Sequence, residues 1–221
     1  MLFNRLDPPT LISRLLVLVI AFTIHELAHA WVATFYGDDT PRLNGRLTLN
    51  PIAHLDPMGS LLLLIAGFGW AKPVPINPYA LQRRSSAALM LVSLAGPLSN
   101  LLMAVLAAIP FRLGLVSLFS AFAAYGQAGR IFPSLPQFLV EFISINLILL
   151  LFNLIPLAPL DGEKVAEYFF PPSWARVMDT IRPYGPIILI AIALVGPYVG
   201  LDVIGWILGP PLQALFGILV G

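Results

Sequence analysis

Residues 10–36 read TLISRLLVLVIAFTIHELAHAWVATFY, an apolar run long enough to cross a bilayer as a single helix. Inside it lies His25-Glu26-Leu27-Ala28-His29. Two imidazoles and a carboxylate at that depth are costly unless something compensates them. Residues four apart share a face of a helix, so His25 and His29 can grip one cation together. Glu26 then stands beside any water on that cation. This is the pattern of a zinc hydrolase, set where water is scarce.

Composition agrees with a membrane setting. Of 221 residues, 58% are hydrophobic and only 10% charged, which makes an integral membrane protein. The whole of 1–221 reads as one membrane-embedded domain, with a core over about 10–165 and further transmembrane sequence over about 184–221. The net charge of +1 comes with no basic face, and no nucleic-acid partner is expected. Cysteine is absent, so only His, Asp and Glu remain to hold a metal. Arg5 and Arg14 ahead of an apolar run resemble a secretory signal, but the run is too long for a signal core and is expected to stay as the first span.

Further apolar segments cover about Pro57–Trp70, Ser86–Pro110, Phe138–Leu160 and Gly185–Gly221. The expected fold class is therefore an all-α polytopic membrane protein, a helical bundle of about four to six transmembrane segments. Pro57–Trp70 is too short to span and is broken by Gly67, Gly69, Pro73 and Pro75, which suggests a re-entrant segment. Gly196-Pro197 and Gly200 break the last segment into two pieces. Asn44-Gly45 between short alternating runs predicts a small β-hairpin, whose edge could pair with an unwound substrate.

A re-entrant Pro57–Trp70 puts Arg42, Arg46, Lys72, Arg83, Arg84, Lys164, Arg176 and Arg182 on one side, the cytoplasmic one by the positive-inside rule. The same topology sends the third long segment in the direction of the first. Asp161, after the proline-broken stretch Asn153-Leu-Ile-Pro156-Leu-Ala-Pro159-Leu160, then emerges on the same side as the end of the helix that carries His25 and His29. Irregular backbone at membrane depth is tolerated when it is buried in protein or lines a water-filled cavity. A catalytic zinc needs a third protein ligand, and Asp161 is the leading candidate. Its alternative is a cap for the helix that follows. His54 is the rival ligand, with a structural place in its loop as the other reading.

Three motifs in this order resemble the site-2 protease family of intramembrane zinc metalloproteases (peptidase family M50): HELAH, Asn153-x-x-Pro156-x-x-Pro159-Leu160-Asp161-Gly162, and Ala95-Gly96-Pro97-Leu98-Ser99-Asn100. The stretch from Gly45 to Pro78 looks like its compact branch without a PDZ domain. The resemblance implies one zinc ion per chain on His25, His29 and Asp161, Glu26 as general base and Asn153 polarising the scissile carbonyl. It also implies a transmembrane protein substrate cut in or near its span, in a prokaryotic cell membrane with the site nearer the cytoplasm. Other readings are a membrane zinc-binding or transport protein and a non-proteolytic scaffold for transmembrane helices.

Asn153 has an interhelical hydrogen bond as its alternative role. Gly96 and Asn100 share one face of their span, suiting close packing at Gly96 and a contact from Asn100 to the site. Asp56, Asp202 and Glu141 read as markers of the interface with water. Trp70, Tyr79, Trp174, Tyr184 and Trp206 read as interfacial anchors.

Overall fold

A computed structural model describes residues 7–59, 69–127 and 129–221. Among these the chain is helical: α1 Pro8–Phe35, α2 Thr40–Leu43, α3 Pro78–Arg84, α4 Ala88–Arg112, α5 Leu118–Ala123, α6 Leu135–Asn153, α7 Asp161–Phe169, α8 Pro172–Ile181, α9 Gly185–Ile190 and α10 Val203–Val220. Four of them, α1, α4, α6 and α10, are long and apolar enough to cross a membrane. The all-α polytopic bundle expected from the sequence is the observed architecture.

Polar pairs fix the directions of the first three long helices. Gln137 Nε2 donates to Thr10 Oγ1 over 3.1 Å, and Arg14 grips both oxygens of Glu141 at 3.0 and 3.2 Å. Both pairs are separated by 127 residues, so α1 and α6 run parallel in constant register. Against α1, α4 runs the other way: His25 meets Asn100 while the later His29 meets the earlier Val92. Small residues allow the approach of α4 to its neighbours, since Ala104, Ala108, Val140, Ile143, Leu147 and Val220 form one buried cluster. Arg112 closes the other end of α10 by donating to the carbonyls of Leu219 and Ile218, which have no partner within that helix.

Parallel α1 and α6 with antiparallel α4 require the chain between α1 and α4 to make no net crossing. Residues 60–68, most of the expected re-entrant segment, lie outside the described residues. Their two flanks, however, lie together. Lys72 N donates to His54 O at 2.7 Å, Leu55 pairs with Ala71 in an antiparallel bridge, and Gly59 abuts the backbone of Trp70 so closely that a Cβ would collide with it. The chain therefore leaves and returns at one place.

The expected hairpin at Asn44-Gly45 is not formed. Thr40–Leu43 is one helical turn, and Gly45, at φ +67°, terminates it. Gly45 N bonds Arg42 O and Arg46 N bonds Pro41 O at 3.0 and 2.9 Å, the paired closure of a Schellman ending. Asn-Gly signals a left-handed backbone position, and a helix C-terminus uses that position as readily as a hairpin turn does. With the strands gone, so is the substrate-pairing edge. Glu141 is a second correction: it is 5% exposed and takes Tyr125 Oη–H as well as Arg14. Its partners lie on other elements, where no local pattern reveals them. Asp202 caps α10 through Gly205 N, and Asp56 accepts from Gly59 N.

The last apolar segment divides as its glycines suggest. After α9 it runs through a wide turn at Ala191–Val195 and a tight one at Gly196–Val199, and Gly200 at φ +79° precedes α10. Trp70, Tyr79, Trp174, Tyr184 and Trp206 are all exposed, as anchors at a bilayer interface would be.

Candidate metal centre

The register of α1 against α6 explains how an acid reaches the histidines. An offset of 127 residues brings Asn153, the last residue of α6, level with Glu26. Helix α1 continues to Phe35, roughly 14 Å further at 1.5 Å per residue. The sequence pattern extends the third span to Leu160, but α6 stops at Asn153. Residues 154–160 then fold back, and Gly162 sits on the backbone of Leu154 and Ile155 where a Cβ would not fit. Asp161 therefore opens α7 beside the histidines instead of at the far end of the bundle. Its helix has Leu160 at the N-cap with no side-chain cap, so capping is not its role here.

His25, His29 and Asp161 form the one set of three metal-ligating groups found among the described residues, with ligand atoms within 4.8 Å of one another. Asp161 Oδ2 is 3.1 Å from His25 Nε2 and 3.3 Å from His29 Nε2. Ligands about 2.0–2.1 Å from a tetrahedral zinc stand roughly 3.3 Å apart, so the spacing fits that ion. The donor set is right for zinc as well, with two imidazoles and one carboxylate.

The far side of each ring is held. His29 Nδ1 lies 2.7 Å from Val92 O, and His25 Nδ1 lies 2.6 Å from Asn100 Oδ1. A carbonyl can only accept, so His29 carries its proton on Nδ1 and turns Nε2 toward Asp161. Gly96 of α4 makes room for this, because a Cβ there would collide with Nε2 of both rings. The contact expected from Asn100 is therefore present, and Gly96 packs against the ligand atoms themselves.

A cavity of about 430 Å³ opens on the three groups, lined also by Glu26, Val74, Asn153 and Leu189. Glu26 is 8% exposed, and its Oε2 accepts from Val74 N at 3.2 Å. That amide belongs to the extended stretch following residues 60–68. Buried Arg46 pins the stretch by donating to Lys72 O at 3.1 Å and Pro73 O at 2.7 Å, and to Ala53 O at 2.7 Å. Arg46 and Val74 both lie in the stretch from Gly45 to Pro78 that carries the family resemblance, but the sequence pairs neither of them with the base. Asn153 lines the same cavity, but its Nδ2 donates to Leu149 O of its own helix at 3.0 Å, an intrahelical bond where an interhelical one was the expected alternative. His54 stands apart from the centre. It is fully buried, with Nε2 2.8 Å from Thr48 O, and its role is to tie its own loop.

The chain is 44% identical over 188 residues, 83% of its length, to a Bacillus subtilis protein named "Putative zinc metalloprotease YwhC", covering 82% of that protein. It is 32% identical over 182 residues to the similarly named Rip2 of Mycolicibacterium smegmatis, and 31% over 179 residues to Rip2 of Mycobacterium tuberculosis. In both Rip2 comparisons the match spans 64% of the relative's length. No family model matches the chain, and no solved structure does.

Proposed function

The chain belongs to the zinc metalloprotease family that includes YwhC and Rip2, and on that premise we propose that it is an intramembrane endopeptidase of the site-2 protease type, in its compact PDZ-free branch. Its substrates are membrane proteins cut in or near a transmembrane segment. The observation that carries this reading is the meeting of His25, His29 and Asp161 at the level where α6 ends, well inside the length of the apolar helix α1.

His25, His29 and Asp161 hold the metal in this proposal. A zinc ion there would acidify a water and polarise the scissile carbonyl. Glu26 Oε accepts the proton of the attacking water and passes it to the departing amine. Val74 N–H keeps that carboxylate aimed into the cavity. The amide of Asn153, level with Glu26, donates to the carbonyl oxygen as negative charge develops, after a side-chain rotation that releases Leu149 O. The apolar walls formed by Phe22, Phe152 and Leu189 accept a lipid-soluble stretch of chain. A helical substrate must unwind locally, since its own hydrogen bonds shield each peptide bond.

The protein acts in the cell membrane, with water reaching the centre from the cytoplasmic side. Support comes from the segments that connect the long helices on that side, which carry Arg42, Lys72, Arg83, Arg84 and Arg176. The test is cleavage of candidate transmembrane substrates co-reconstituted with wild type or with Glu26→Gln. New termini inside or beside spans, produced by the wild type alone, are expected. Equal cleavage by E26Q, or cuts confined to soluble domains, would overturn the proposal.

A further inference from the structure

Asn100 does not stand alone against His25. Its Nδ2 donates to Asn146 Oδ1 of α6 at 2.9 Å, and Asn146 Nδ2 donates to the main-chain carbonyl of Phe142 at 2.9 Å. Both asparagines are fully buried. An amide side chain can be turned either way, but this chain of bonds has one consistent direction. Phe142 O can only accept, so Asn146 must turn its NH2 toward it and its oxygen toward Asn100. Asn100 must then present NH2 to Asn146 and oxygen to His25. His25 Nδ1 is left as the donor, and its Nε2 faces Asp161 with a lone pair for a cation.

From this we infer that Asn146 is a positioning residue for the metal centre, setting the tautomer of His25 through Asn100. The inference rests on the metal reading given above and extends it to a residue on a third helix. The two histidines reach the same tautomer by different means: His29 bonds a backbone carbonyl directly, whereas His25 depends on two amides in series. Without the Asn146 oxygen, the Asn100 amide is free to turn over. Its NH2 then donates to Nδ1, the ring proton moves to Nε2, and that proton bonds Asp161 in competition with the metal. Groups that orient metal-binding imidazoles typically contribute 10–100-fold in affinity.

The test measures zinc affinity by chelator competition on the purified full chain in detergent, with wild type, Asn146→Leu, Asn146→Asp and Gln137→Leu compared. N146L removes the acceptor and is expected to weaken zinc about tenfold or more. N146D keeps an oxygen toward Asn100, and its protonated carboxyl can still donate to Phe142 O, so affinity within about threefold of wild type is expected. Q137L removes a buried amide from the same helix, bonded to Thr10, and is expected to leave zinc binding unchanged. Wild-type affinity in N146L overturns the inference, as does equal loss in N146D and N146L or a matching loss in Q137L. Should N146L fail to fold, Asn146→Ala removes the same acceptor with less bulk and is expected to weaken zinc about tenfold or more, and wild-type affinity in N146A overturns the inference. Absence of zinc from the wild type refutes the metal reading itself, a separate result.

Discussion

Replacing Gly96 by alanine is the smallest change that reaches the proposed centre. The added Cβ would lie 2.5 Å from His25 Nε2, 2.6 Å from His25 Cε1 and closer still to His29 Nε2. An ordinary contact between such atoms is about 3.5 Å, so both rings or the helix must yield by roughly 1 Å. Neither ring can simply swing aside, because each Nδ1 is anchored, at 2.6 Å to Asn100 and at 2.7 Å to Val92. Parting α1 from α4 would pull the same ligands away from Asp161. Metal sites tolerate ligand displacements of only about 0.2 Å, so zinc affinity should fall at least a hundredfold, with turnover lost in parallel. Overpacking costs about 1–3 kcal/mol, offset in part by the helix preference of alanine over glycine, about 1 kcal/mol. The fold should therefore survive. Gly217→Ala, where nothing lies within 4 Å of the new atom, is the matched control. The assays are zinc competition, cleavage and thermal unfolding of the three proteins. A G96A variant with wild-type zinc affinity would refute the placement of the ion between the two rings.

Glu26→Gln should abolish turnover while leaving bound zinc at one ion per chain, read by elemental analysis; loss of the metal together with activity would make Glu26 a ligand and not a base. Arg46→Ala strips the donor from three carbonyls and frees the stretch that presents Val74 N–H to Glu26. A fall in kcat of about tenfold or more with zinc affinity nearly intact is expected, and unchanged kcat would disconnect that stretch from the base. Glu141→Leu takes from Arg14 the carboxylate that accepts two of its hydrogen bonds and should destabilise by on the order of 3 kcal/mol, whereas Arg14→Leu with Glu141→Leu should recover part of the loss. Denaturation in one detergent reads both, and an equally unstable double variant would contradict the pairing.

Span count, helix direction and the split of the last segment were legible in the sequence because hydropathy, charge and glycine placement are local signals. His25 and His29 were legible for the same reason, sharing one helix face. Asp161 needed topology as well: the positive residues favoured a segment that returns, and only then could a later acid share a level with an earlier helix. Asn44-Gly45 misled because a left-handed residue ends a helical turn as well as it makes a hairpin. The partners of Glu141, Asn146, Arg46 and Val74 were invisible since each lies from 7 to 127 residues away.

The stopping point of α6 joins these cases. A span that continued to Leu160 would carry Asp161 about ten residues beyond His25 on a parallel helix, roughly 12–15 Å too far. Ending at Asn153 exposes the last carbonyls of α6 at membrane depth, which lipid does not satisfy. The returning turn answers that need, as Leu154 N and Ile155 N bond back to Leu150 O and Phe152 O at 3.2 and 3.1 Å. Gly162 then closes on Leu154 and Ile155. The same prolines that break the helix thus set the height of the carboxylate. Gly162→Ala should act like G96A from the opposite side, because its Cβ meets backbone that cannot rotate away. Zinc affinity is expected to fall with the α-helical circular dichroism unchanged, and a G162A protein that holds zinc as the wild type does would show that the height of Asp161 is set elsewhere.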